Sequence, residues 1–417
     1  MNSGTRRKRT GADAGSAASL SGHQDSSTRT PKKGSFTAVR KLMEVQHSTR
    51  EQKLKLPKGV RIVTEKDSRM LLEEILTLGR YLINEIAHGK PPTLVLPQRG
   101  GANIVWDEEN DLLLLGEKTI TRSLGNLRTV KDVTRLIRVL EIVHELLEKD
   151  IHATKRELYY NDVKLFEDQR TSDNAIDDIA PLLGTNREST HVVASAKGTV
   201  LGRLTIEDSG DRIDLTKLGT GGWSITPFLD LVEIVESDAE FLLVIEKDAA
   251  MLRLSESKWW KRYPCILLTA RGSPDIASRI FARRLVKKLK IPAFSLVDAD
   301  PFGAWIHSVY LRGSKRLSYE SSFLATPELK LLGVLCRDLD AYRVPKECRL
   351  KMTSEDIKRA KDMLREPFVA NNPKWVADIQ LMLERKEKAE IQALASHGFE
   401  FLADTYLPTK LETGDWI

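Results

Sequence analysis

The stretch AFSLVDADPFGAW, residues 293–305, decides how this chain is read. Phe294 to Val297 form an uninterrupted apolar run, the pattern of a strand covered on both faces. The run ends at two carboxylates one residue apart, Asp298 and Asp300, followed by Pro301 and Gly303. Acids at the mouth of a buried strand are costly unless something there compensates their charge.

Upstream, FLLVI at 241–245 runs into Glu246, Lys247 and Asp248, and YPCILLTARG at 263–272 predicts a further strand. Helices are expected between these strands, SPDIASRIFARRLVKKLK at 273–290 being the clearest. Continuous apolar strands alternating with helices indicate a parallel sheet clothed on both sides. In such sheets the reactive crevice lies at the carboxyl ends of the strands, which places Glu246, Asp298 and Asp300 together. Three hard oxygen donors without His or Cys suit Mg2+. Strand-end acids also cap helices or pair with a lysine such as Lys247, and both readings stand at this point.

Before this region the chain is helical. Residues 129–150 form a long amphipathic pattern, and Thr154 with Glu157 makes a capping box opening KRELYYND. Residues 172–184 predict another helix, closed by Gly184. HVVASAKGTVLGRLTI at 191–206 switches to alternating β-branched residues about a Lys-Gly turn, predicting a hairpin. Helices followed by such a wing describe a winged-helix domain. On the KRELYYND helix Arg156 and Tyr160 share a face, with Tyr159 about 100° away. A phenol attacks phosphorus as its phenolate, and a neighbouring guanidinium favours that form. Paired tyrosines on a helix more often simply pack.

The 273–290 helix predicts a buried stripe of Ile276, Ile280, Phe281, Leu285 and Leu289. Arg279, Arg283, Arg284, Lys287 and Lys288 then project elsewhere, either to follow a phosphate backbone or to sit in solvent. The net charge of +6 permits a nucleic-acid partner without demanding one. Three cysteines with no C-x-x-C spacing, and histidines without an H-x-x-x-H pattern, argue against zinc. There is no G-x-x-x-x-G-K-[ST], and LGTGGW lacks the strand-to-helix context of a dinucleotide site. A soluble, intracellular, reducing setting is expected, with no membrane span or signal peptide. Residues 1–55 read as a disordered basic tail, whose RRKR cluster is a phosphate contact, a nuclear address or a plain solvated tail.

A Glu-ended strand followed by a D-x-D strand resembles the Toprim fold of topoisomerases, primases and some nucleases. KRELYYND, the winged-helix pattern, ITRSLGNLR, SDNAIDDI, VIEKDA, VDADPFG, KAEIQAL and the closing YLPTKL and DWI narrow it. Together they resemble the A subunits of topoisomerase VI and their paralogue, the meiotic double-strand-break transesterase, over about residues 115–417. The resemblance implies an α/β multidomain chain, a winged-helix domain followed by a Toprim parallel-sheet domain with helical C-terminal elaboration. Its expected bounds are 56–125 for an N-terminal helix and strap, 126–210 for the winged helix, 211–235 for a linker and 236–417 for Toprim. It further implies Tyr160 as nucleophile, Arg156 as its supporting cation, and Mg2+ held by Glu246, Asp298 and Asp300. Double-stranded DNA, a homodimer in which each tyrosine works with the partner's metal site, and an ATPase B subunit in an A2B2 assembly complete the picture. The setting would be chromosomal, nucleoid or nuclear according to host. YNDVKLFEDQ leans toward the meiotic paralogue and DPFGAWIHSVYLRGS toward topoisomerase, the reading favoured; a Toprim nuclease using metal and water is a further alternative.

Overall fold

The computed structural model describes residues 34–48 and 55–417. At its centre a six-stranded sheet runs in the order Trp223–Ser224, Thr199–Gly202, Cys265–Thr269, Phe241–Ile245, Ala293–Leu296, Leu329–Gly333. The last four strands are mutually parallel, as their continuous apolar sequences require. Alternate residues feed two cores: Leu242, Val244, Ile266 and Leu268 face one, and Phe241, Leu243, Ile245 and Leu267 the other. Each such side chain, removed from water, contributes about 1.5–3 kcal/mol. Helix Ile276–Leu289 covers the first face, and Asp248–Glu256 with the C-terminal Leu407–Thr413 covers the second.

A third core belongs to helices Ser68–Ala87, Val130–Glu148, Lys155–Asn161 and Gln169–Leu182. The capping box at Thr154 and the helical stripe of Val130–Glu148 form as their sequences predict. Strand Thr93–Pro97 pairs antiparallel with Thr119–Ser123 beside this bundle.

Four expectations are corrected. Folded structure is not confined to the chain beyond Leu56: helix Thr37–Ser48 is anchored by fully buried Val39 and by Phe36, whose ring stacks on Tyr263 at 4.9 Å. The RRKR cluster lies outside the described residues. Residues 191–206 do not form a hairpin. Val192–Val193 pairs in parallel with Ala153–Thr154, while Thr199–Gly202 crosses into the six-stranded sheet against Cys265–Thr269. Gly202 permits that crossing: its φ is +113°, and a Cβ there would lie 2.5 Å from the Cys265 carbonyl oxygen.

Residues 211–235 are not a linker. Thr205–Asp208, Asp211–Asp214 and Val232–Glu236 build a three-stranded antiparallel sheet. The expected boundary at 210 falls inside its tight turn, Ser209-Gly210, where both residues take positive φ as two-residue hairpins require. Finally, NPKWVADIQLMLERKEKAEIQALA at 372–395 reads as helical throughout, but the helix beginning at Pro373 stops at Arg385, with Lys386 in the left-handed conformation. Glu387–Lys388 then pairs with Leu350–Lys351, and Ala389 bridges Ala299, so KAEIQAL is drawn across the carboxyl end of strand Ala293–Leu296 instead of extending the helix.

Candidate active site

The carboxyl ends of two neighbouring parallel strands bring Glu246 and Asp298 together, both nearly inaccessible to solvent. The Asp298 amide donates to Glu246 Oε2 at 2.9 Å, and the Ile391 amide donates to Asp298 Oδ1 at 2.9 Å. Lys247 Nζ lies 3.0 Å from Asp298 Oδ2 and 2.9 Å from Glu390 Oε2. Asp300 sits at the mouth of the next helix, Pro301–Arg312, as its N-cap, Oδ1 accepting from the Gly303 amide at 2.6 Å. Glycine at 303 lets that helix start hard against the strand end, since a Cβ would stand 2.4 Å from the Asp298 carbonyl oxygen.

Burial pushes the Glu246 carboxyl up to about 7, and the Asp298 and Asp300 charges add to it. Asp298 is likewise raised by burial, against the Ile391 amide and Lys247. Two buried carboxyls that resist ionisation, with Lys247 paired to only one of them, form a place short of positive charge. Their hard oxygen donors fit a divalent cation that keeps waters and shares phosphate ligands. They are not a closed cage: among the described residues no group of three or more His, Cys, Asp or Glu side chains is arranged to surround an ion. Glu246 and Asp298 are thus a buried pair, with Asp300 beside them capping the next helix.

The second part of the site is helix Lys155–Asn161. Thr154 Oγ1 accepts from the Glu157 amide at 3.2 Å, and Glu157 Oε2 accepts from the Thr154 amide at 2.7 Å. This fixes the first turn of a helix only seven residues long. Its two tyrosines part company. Tyr159 packs against the helical core, whereas Tyr160 is 61% exposed with the Arg156 guanidinium 6.0 Å from its ring centroid. Among the described residues no hydrogen bond, ion pair or ring contact joins Tyr160 to the three acids.

The basic helix departs from expectation. Its buried face comprises Ala277, Ser278, Arg279, Phe281, Ala282, Leu285 and Val286, so Ile276, Ile280 and Leu289 are only half-buried. Arg279 is 1% exposed, lowered to about 10 by burial despite the nearby Glu320 carboxylate, and cannot reach a phosphate backbone. Arg283 is held by Glu328 at 2.8 Å, and Arg284 by Asp230 at 2.8 Å and by the Leu229 carbonyl. Lys287 and Lys288 are exposed. The helix packs against the sheet and against the short helix Ser321–Leu324.

Sequence reasoning offered Lys247 as a partner for a strand-end acid, and the structure pairs it with Asp298; it missed Glu390 and the Ile391 amide as companions. The KAEIQAL motif was the one signal for them, but its helical periodicity masked an extended path.

Three family models match this chain. One describes the Toprim domain shared by the topoisomerase 6 A subunit and Spo11, over 241–411; the second is "Type IIB DNA topoisomerase", over 131–192. The third, "All-beta domain in DNA topoisomerase VI alpha subunit", matches 197–238 and coincides with the small sheet and the crossing strand. The chain is 48% identical to the A3 subunit of DNA topoisomerase 6 from Oryza sativa subsp. indica, over 85% of this chain and 80% of that protein. It is 45% identical to the A subunit of DNA topoisomerase 6 from Arabidopsis thaliana, over 87% and 85%. With the A subunit of type 2 DNA topoisomerase 6 from Aeropyrum pernix the identity is 38%, over 81% and 92%. Meiotic recombination protein SPO11 of Mus musculus matches at 33%, over 86% and 91%. Toprim domains generally hold a divalent metal ion, in keeping with the acid pair.

Proposed function

The chain belongs to the family of type IIB DNA topoisomerase A subunits, the catalytic subunits of those enzymes, and on that premise we propose that Tyr160 opens a DNA strand with Arg156 beside it and Glu246, Asp298 and Asp300 holding Mg2+. The observation that carries the choice of nucleophile is the contrast between a packed Tyr159 and a Tyr160 presented to solvent under a guanidinium.

The phenol oxygen of Tyr160, its proton lost, bonds to phosphorus as the P–O3′ bond breaks. The departing 3′ oxygen takes up a proton, leaving a 5′-phosphotyrosyl ester. Arg156 pairs with a non-bridging phosphate oxygen and orients it. Bound Mg2+ supplies charge compensation for the phosphate and the leaving oxygen. Attack by the 3′ hydroxyl reverses the step, the ester having conserved the bond energy. Double-stranded DNA is the substrate, in a chromosomal setting. ATP consumption falls to a B subunit in an A2B2 assembly, consistent with a chain lacking a phosphate-binding loop motif. The working unit is a homodimer in which each tyrosine meets the acids of the second copy, in keeping with a Tyr160 that, among the described residues, makes no contact with Glu246, Asp298 or Asp300.

Mass spectrometry of a trapped protein–DNA adduct tests the nucleophile: the nucleotide should be on Tyr160, and Tyr160→Phe should form none. Continued cutting by Tyr160→Phe without attached protein would instead mark a metal nuclease. ATP-dependent relaxation or decatenation with the cognate B subunit separates topoisomerase from the meiotic reaction, which the lower identity to the mouse recombination protein already disfavours.

A further inference from the structure

Asp177 lies on helix Gln169–Leu182 and is 1% exposed, yet four cations from four different segments converge on it. Lys155 Nζ approaches Oδ1 at 2.7 Å and Arg316 Nε approaches Oδ2 at 2.7 Å. Arg187 Nη1 stands 3.6 Å from Oδ1, and Arg99 Nη1 3.8 Å from Oδ2. Lys155 is the first residue of the helix carrying Tyr160. Arg316 lies four residues beyond the helix that Asp300 caps, in the turn Lys315–Glu320. A second tie runs parallel, the Arg187 amide donating to Glu320 Oε2 at 3.0 Å. One buried carboxylate therefore bonds, through separate oxygens, to the start of the nucleophile's helix and to the segment leaving the acid site.

We propose that Asp177 is a positioning residue for strand cleavage, locking the tyrosine helix to the acid-bearing sheet of its own chain. The proposal rests on Tyr160 being the nucleophile. Each protomer then carries its tyrosine and its acids as one body, and the tyrosine meets the partner's acids only when whole protomers are correctly docked. A short helix tied at its N-terminal lysine pivots when the tie is cut, and small displacements of a reacting group are expensive in rate.

Asp177→Asn would strand several cations in the interior, so the informative variants lie at the two ends of the tie. Arg316 is half-exposed and tolerates replacement. The full chain is assembled with its ATPase partner, Mg2+ and a duplex, and single-turnover adduct formation is measured. Arg316→Met should slow the rate at saturating DNA by about tenfold, with half-saturating DNA and melting temperature unchanged. Arg316→Lys should restore most of it. Lys155→Met combined with Arg316→Met should lose no more than the worse single variant, as expected for two ends of one link. Wild-type rate in Arg316→Met, losses that multiply, or a loss matched by weaker DNA binding would each overturn the proposal. Adduct formation by Tyr160→Phe, run alongside, would show that the nucleophile and not the link was misassigned.

Discussion

Replacing Glu246 by glutamine should make the metal-free protein more stable while destroying its chemistry. The folded carboxyl is carried from 4.5 to about 7, chiefly by burial. Displacing a carboxyl that far corresponds to about 3 kcal/mol between its protonation states. The sign follows from proton counting. Between those two values the unfolded chain has released its proton and the folded chain still holds one, so stability falls as pH rises through the interval. Above 7 the whole penalty is present, and below 4.5 it vanishes. Glutamine carries no such charge, and its carbonyl can still accept from the Asp298 amide, now at 2.9 Å from Glu246 Oε2. Urea unfolding in chelator should show Glu246→Gln more stable than the parent by about 3 kcal/mol at pH 8 and by only about 1 kcal/mol at pH 5. Added Mg2+ should narrow the gap at pH 8 by stabilising the parent alone. A difference that does not change with pH, or a variant weaker than the parent at pH 8, would refute the account of a buried carboxyl pair with too little compensating charge.

Removing the Thr154 side chain as Thr154→Ala should cost the tyrosine helix about 1 kcal/mol, seen as faster amide exchange across Lys155–Asn161; unchanged protection there would deny the cap its role. Arg279→Ala should lower the melting temperature, because the buried Glu320 carboxylate keeps Arg187 but loses one of its two facing cations. Its salt dependence of DNA binding should match the parent's. Lys288→Ala should do the reverse, melting normally but flattening the log–log salt slope by about one. Lys410, wholly buried between Asp338 at 3.1 Å and Asp415 at 2.7 Å, should cost about 3 kcal/mol as Lys410→Met; an unshifted melting temperature would count against that.

Much of the candidate site is legible in the sequence. Continuous apolar runs ending in acids, the capping box at Thr154, and the i, i+4 relation of Arg156 and Tyr160 are local patterns. Local periodicity and hydrogen bonding between near neighbours determine them, so they survive without knowledge of the rest of the chain. The alternation that sends Leu243 to one core and Val244 to the other is of the same kind.

What tertiary structure decided were choices between segments far apart in the chain. Thr199–Gly202 had the composition of a wing, but an open sheet edge offered by Cys265–Thr269 gave its backbone groups better partners. KAEIQAL had helical periodicity, yet the Ile391 amide and the Ala299 bridge drew it over the acids. Arg279 looked like its basic neighbours but lies on the packed face of its helix, with the Glu320 carboxylate as its main compensating charge. Asp177 stood in an ordinary amphipathic helix until four cations from elsewhere met on it. Burial of a charge or an edge is settled by whichever distant group can satisfy it, and no window of sequence contains both partners.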